Sequence, residues 1–127
     1  MIARYVFDTG ALISVERRKE RAVRFLRLAQ IGAARILVPL PVIAEWWRGR
    51  SDRRDEILAA THVIASIDIA KAAGVALAKT PDVDATVTID AIVMATAALF
   101  DAVVVTQDPD DLGRLSGHFP GVVVLTT

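Results

Sequence analysis

Five short runs rich in Val, Ile and Leu punctuate the chain: ARYVFD (3–8), RILVPL (35–40), HVIASI (62–67), AVVVTQ (102–107) and GVVVLT (121–126). Within them, apolar residues mostly follow one another instead of alternating with polar ones. Strands buried on both faces of a parallel sheet read this way, whereas a strand with one wet face alternates. Between the runs, apolar positions recur at helical spacing over Glu20–Ile31, Val42–Arg48, Arg54–Ala60, Ile69–Lys79 and Val87–Phe100, with a shorter helical stretch near Asp111–Leu115. Alternation of strands and helices predicts an α/β fold, a sandwich with helices on both faces of a mainly parallel sheet of about five strands. The most loop-like segment is TPDVDA (80–85), just before the last long helix. No repeat, low-complexity tract or linker divides the 127 residues, so a single domain over 1–127 is expected.

Composition narrows the class. A hydrophobic fraction of 54% fills one substantial core and excludes a disordered chain. No uncharged apolar run approaches the length of a membrane span, and the start, MIARYVFD, lacks the layout of a signal peptide. With no cysteine there is no disulfide framework, no thiolate metal site and no cysteine nucleophile. A soluble cytoplasmic protein without membrane contact is the expectation.

Net charge is zero but unevenly spread, with 12 Lys+Arg against 7 Asp+Glu in residues 1–60 and 3 against 8 in residues 61–127. Twelve of the 15 basic residues are Arg, the side chain suited to forked contacts with phosphate. The run RGRSDRR, carrying Arg48, Arg50, Arg53 and Arg54, is a candidate nucleic-acid contact because of what precedes it. For the run from Arg17 to Arg27, a solvated helix face is explanation enough.

What precedes RGRSDRR is Glu45, the only charge between Arg35 and Arg48. Three other acids stand equally alone: Asp8 ends the first strand, Asp90 is the single charge in TVTIDAIVMATAALF, and Asp108 closes the strand AVVVTQ. An unpaired charge is costly to bury, so each needs a reason. In a parallel sheet the strand ends and the starts of the following helices share one edge, where ligands bind. Asp8 and Asp108 are placed there by their strands. Asp90 and Glu45 border the apolar stripes of their helices and are expected near N-terminal ends, with Pro41 suited to the first turn of the Glu45 helix. Singly, each acid has an ordinary explanation as a cap, a turn residue or a helix-start anion. Gathered at one edge, they repel one another and raise one another's pKa.

A bound cation would offset that repulsion. The two histidines, His62 and His118, read as structural or solvent-facing, which removes a His-rich zinc site. Carboxylates alone are hard oxygen ligands suited to Mg²⁺, with Mn²⁺ as a substitute. Such acid-held ions position water and stabilise phosphoryl transition states. There is no phosphate-binding G-x-x-x-x-G-K-[ST] loop and no G-x-S-x-G serine, which argues against an NTPase or an α/β-hydrolase.

Taken in order, VFDTGALI, VPLPVIAEWWRG, IDAIVMATA and VVVTQDPDDL resemble the PIN-domain ribonucleases, and specifically the VapC-type toxins of bacterial toxin–antitoxin pairs. The resemblance runs from Tyr5 to the final strand. It implies a PIN-like α/β/α sandwich with an Mg²⁺-dependent endoribonuclease site at its strand edge. It also assigns metal binding and catalysis to Asp8, Glu45, Asp90 and Asp108, with Thr9, Thr106 and Asp111 in support. Hydrolysis of RNA to a 5′-phosphate and a 3′-hydroxyl is implied, as are a VapB-type antitoxin partner, a homodimer and a toxin–antitoxin hetero-oligomer. Of the pair Trp46–Trp47, one is expected in the core and the other in a groove for a partner helix.

Three rivals stay open at this point. A phosphotransfer enzyme of the haloacid-dehalogenase type also ends a strand with Asp beside Mg²⁺, but needs a second Asp where this chain has Gly10. A receiver-like signalling module wants a lysine after a late strand, and none follows Lys79. A catalytically inactive PIN-like interaction module would keep the fold without the chemistry, although all four acids are present.

Overall fold

In the computed structural model, which describes residues 2–127, the elements run β1 (Ala3–Phe7), α1 (Thr9–Glu16), α2 (Glu20–Gln30), β2 (Ala34–Pro39), α3 (Leu40–Trp46), α4 (Asp52–Ala59), β3 (Thr61–Ile64), α5 (Ile67–Ala78), α6 (Ala85–Phe100), β4 (Val103–Thr106) and β5 (Val124–Thr126). Single 3₁₀ turns at Pro109–Leu112 and Ser116–His118 join β4 to β5. The sheet order is β3-β2-β1-β4-β5, and all four pairings are parallel. Each strand named from its apolar run is present; β1, β4 and β5 are shorter than their runs, and β2 and β3 begin one residue earlier and end before theirs do. The stretch near Asp111–Leu115 is the end of a 3₁₀ turn opened by Pro109, followed by an irregular turn from Gly113, rather than a helix.

The order of the strands fixes where a ligand can sit. After β1 the chain moves outward to β2 and β3, then returns to lay β4 on the other flank of β1. Connections leaving the tops of β1 and β4 therefore diverge, opening a crevice at the switch point. Asp8 follows β1 and Asp108 follows β4, so both stand at its mouth.

Side chains explain why these helices form where they do. Asp8 accepts a hydrogen bond from the Ala11 amide and caps α1; Ser51, Ser66 and Asp84 do the same for α4, α5 and α6. Removing such a cap costs about 1 kcal/mol. Helix α6 is buried nearly all round, with Ala91, Val93, Met94, Ala95 and Ala97 at 1% exposure or less. Its alanines let α5 lie close, and truncating Met94 to Ala would cost roughly 2–5 kcal/mol through the cavity left behind. On the other face, Phe25 of α2 meets the rings of Tyr5 at 4.8 Å and Phe7 at 5.9 Å, fastening α2 across β1. Trp46 is buried and Trp47 half-buried against it, edge to face at 5.8 Å.

Candidate active site

One cleft of about 470 Å³ lies at the switch point, and Asp8, Thr9, Glu45, Asp90, Thr106, Asp108 and Asp111 all line it. These are the seven residues singled out as its acids and their hydroxyl supports. They come from α6, the α1–α3 side and the β4 end, elements far apart in sequence.

Asp8 is the hub. Its Oδ1 accepts the Ala11 amide at 2.8 Å, and its Oδ2 accepts the Thr106 hydroxyl at 2.5 Å. The same Thr106 oxygen accepts the Asp108 amide at 3.2 Å, so one hydroxyl orients the Asp8 carboxylate and holds the backbone of Asp108. Thr9 donates to Glu45 Oε1 at 2.5 Å, which couples α1 to α3. Asp108 Oδ1 accepts the Asp110 amide at 3.2 Å and shapes the 3₁₀ turn that brings Asp111 to the wall.

Two placements differ from expectation. Glu45 is the sixth of seven residues in α3, near its C-terminal end, because Leu40 and Pro41 already form its first turn. A helix C-terminus disfavours an anion, so the dipole does not account for Glu45. Asp90 is the sixth residue of α6, which Asp84 caps and Ala85 begins, and so stands in the second turn. Helix-dipole stabilisation fades within the first turn, so the ordinary explanation for Asp90 loses its force.

Electrostatically the cleft is one-sided: five carboxylates line it and no Lys, Arg or His does. Burial, followed by the charges of Asp8, Asp111 and Glu45, pushes the Asp90 carboxyl up to about 7. Asp8 is also raised, chiefly by burial, against the opposing pull of the Thr106 and Ala11 hydrogen bonds. Among the described residues no three His, Cys, Asp or Glu side chains stand close enough to cage a metal ion between them. A cage of that kind is what Zn²⁺ or Ca²⁺ demands. Mg²⁺ keeps several of its waters and takes one or two carboxylates plus substrate oxygens, so this open, all-oxygen donor set fits it.

Sequence reasoning used Gly10 only as the place of a missing second acid and gave Gln107 no part in the site. A Cβ on Gly10 would lie 2.9 Å from the Gln107 Cβ and 3.5 Å from Asp8 Oδ1. The first turn of α1 thus passes directly under the β4 loop, and no larger residue fits at position 10 without moving Gln107. With glycine there, the second Asp of the haloacid-dehalogenase rival is missing. With no lysine in the cleft, the receiver-like rival lacks its counter-charge.

The arginines after Glu45 divide. Arg53 donates to the Val15 carbonyl at 2.9 Å and to Glu56 at 3.2 Å. Arg54 binds Glu16 at 2.5 Å and the Gly49 carbonyl at 2.9 Å. Both side chains are about four-fifths buried and clamp α4 to the end of α1, so they are structural rather than open to a nucleic acid. Arg50 faces Asp55 at 2.8 Å and Asp52 at 3.4 Å. Only Arg48 is exposed and without an ion pair among the described residues.

Comparison with known proteins supplies the family. The model of the PIN domain matches residues 5–117, and the chain belongs to the PIN domain family. No curated protein matches the sequence as a relative. Among solved structures, a chain of VapBC2 from Rickettsia felis, bound to a DNA fragment from its promoter, superposes with a TM-score of 0.71 at 14% identity over 98% of each chain. DNA-bound VapBC from Salmonella typhimurium gives 0.67 at 18% identity over 98% of each chain. VapBC-1 from nontypeable Haemophilus influenzae gives 0.61 at 13% identity over 97% of each chain. At such identities the likeness is one of fold. No helix among the described residues is long and apolar enough to cross a membrane.

Proposed function

We propose that the chain is the toxin of a VapBC-type pair: an Mg²⁺-dependent endoribonuclease held in check by a VapB-type antitoxin. The observation that carries this reading is the cleft itself, with five carboxylates, no basic side chain, and a position at the switch point of a PIN-domain sheet. Membership of the family makes nuclease chemistry the natural use of such a cleft. The fold shared with chains of VapBC complexes supports the partner.

Asp8, Glu45, Asp90 and Asp108 would hold the ion, with Asp111 in support. When bound, Mg²⁺ supplies a water of lowered pKa and neutralises charge on the scissile phosphate. The rest falls to the chain. Thr106 orients the Asp8 carboxylate and holds the backbone of Asp108, and Thr9 fixes Glu45, so the carboxylates meet the ion with little reorganisation. Glu45, free of any basic partner, is placed to take a proton from an attacking water. Arg48, three residues further on, is the one free cation of its run for the RNA backbone.

The test is hydrolysis of RNA by the purified protein with Mg²⁺ and after its removal with EDTA, beside Asp8→Asn and Asp90→Asn. Cleavage that needs both the ion and the acids supports the assignment. Undiminished cleavage by either variant would refute it.

A further inference from the structure

A cleft whose only charged lining residues are carboxylates repels a polyanion, so affinity for RNA has to come from another surface. The run beside Glu45 offers little, since Arg53 and Arg54 are internal and Arg50 faces two acids. The densest group of exposed arginines lies on α2 and the turn before it. There the sequence RKERAVRFLR (18–27) places an arginine at every third position. Helix residues three apart are surface neighbours with Cβ atoms about 5–6 Å apart, so Arg21, Arg24 and Arg27 form one oblique ridge. Arg18, in the turn, extends it.

All four are exposed. Arg18, Arg21 and Arg27 make no ion pair among the described residues, and Arg24 pairs only with Glu20, in a bridge mostly in water that is worth little. Arg18 has a left-handed backbone, φ 60°, where local preference favours glycine or asparagine, so local structure does not explain an arginine there. Arg18, Arg24 and Arg27 border a groove of about 500 Å³ between α2 and α4, above Val23 and Leu26. The two acids of that groove, Glu20 and Glu56, are held by Arg24 at 2.7 Å and Arg53 at 3.2 Å.

We infer that this arginine ladder is a second docking surface for the RNA, gripping the phosphate backbone away from the carboxylate cleft. The inference rests on the RNA-cleaving reading above. A single cation repeated at a regular step, beside acids that are already paired, matches the evenly spaced phosphates of one strand. Helix α1, eight residues and about 12 Å long, separates the ladder from Asp8. A strand of several nucleotides can engage both surfaces. A dinucleotide cannot.

The experiment measures binding of a long single-stranded RNA against salt, on the Asp8→Asn/Asp90→Asn background so that nothing is cut. Adding Arg18→Gln/Arg21→Gln/Arg27→Gln weakens binding and lowers the slope of log affinity against log salt by about 2, at roughly 0.7 for each phosphate no longer neutralised. With the native acids restored, the same triple variant cleaves a dinucleotide with unchanged kcat and KM but long RNA with a raised KM. Single charge reversal, Arg21→Glu, weakens RNA binding at one exposed site and guards against misfolding of the triple variant. Wild-type affinity and slope in the triple variant overturn the proposal. So does an equal loss on the dinucleotide, which would place the effect in the cleft, or a loss confined to a synthetic Glu-rich helical peptide, which would make the groove a protein site. A parent protein that neither binds nor cleaves RNA instead removes the underlying reading.

Discussion

The carboxylates of the cleft and the arginines of α4 are both charges drawn partly out of water, yet the fold treats them oppositely. Arg53 and Arg54 each find a carboxylate and a backbone carbonyl. Asp8 and Asp90 find hydroxyls, amides or nothing, and face more acids. A compensated charge is explained by the fold that it holds together. An uncompensated one costs stability and needs something from outside the chain, a cation or a proton. The contrast separates structure from function more sharply than residue type or sequence run does.

Neutralising the uncompensated side gives the largest expected effect. Asp8→Asn or Asp90→Asn should lower RNA cleavage by about a thousandfold or more, equivalent to about 4 kcal/mol of transition-state stabilisation. For Asp90→Asn the melting temperature should stay level or rise, because a repelling charge has gone. Coupled loss of activity and fold in that variant would erase the contrast.

Breaking the compensated side should do the reverse. Arg54→Gln strands Glu16, three-quarters buried, and should cost about 2 kcal/mol in denaturant unfolding. The folded fraction should cleave a dinucleotide at the wild-type rate. Unchanged stability would return Arg54 to the candidates for nucleic-acid contact.

Cation binding should reward only the cleft. Mg²⁺ at about a hundred times its dissociation constant should stabilise the wild type by about 2.7 kcal/mol in thermal or denaturant unfolding. EDTA, or the Asp8→Asn/Asp90→Asn pair, should abolish the gain. An equal gain in the double variant would put the ion elsewhere.

The smallest effect comes from protons. Asp90 titrates near 7 when folded, well above an unfolded aspartate at about 3.9. The folded chain therefore binds the extra proton between those values, and the metal-free protein should lose stability as pH rises from about 4 to about 7. Partial exposure reduces the loss to about 1–2 kcal/mol. Urea unfolding in EDTA at pH 5 and pH 7.5 measures it, and Asp90→Asn should flatten the difference.

Much of this was legible in the sequence for a common reason: lone charges in apolar runs and short Val-rich strands are local signals. Four of the cleft acids, Asp8, Glu45, Asp90 and Asp108, could be named because strand ends and helix stripes place them without knowledge of the packing, whereas Thr9, Thr106 and Asp111 were named only through the family resemblance. What escaped was set by contacts between distant segments. Arg53 reaches Val15 and Arg54 reaches Glu16, each across 38 positions, so nothing in RGRSDRR revealed that half of its arginines turn inward. The run Arg17 to Arg27 read as an ordinary wet face for the same reason: only the fold shows which cations are left without partners. Gly10 became informative only once Gln107 was seen above it. Glu45 was misplaced along its helix because Pro41 allowed an earlier start than the apolar stripe suggested.

The bond from Thr106 to Asp8 spans 98 positions and joins the second-last strand to the first. In synthesis, Asp8 is made 98 residues before Thr106, and it waits for that whole interval before β4 arrives to build the opposite wall. Contacts this distant in sequence close late, since the loop entropy must be met before they form. A partly made chain therefore carries its acids without the site that they form. On the proposed function, the message being translated is safe from its own product until β4 has left the ribosome, and the first moment of activity coincides with the first moment at which a partner can bind the assembled site.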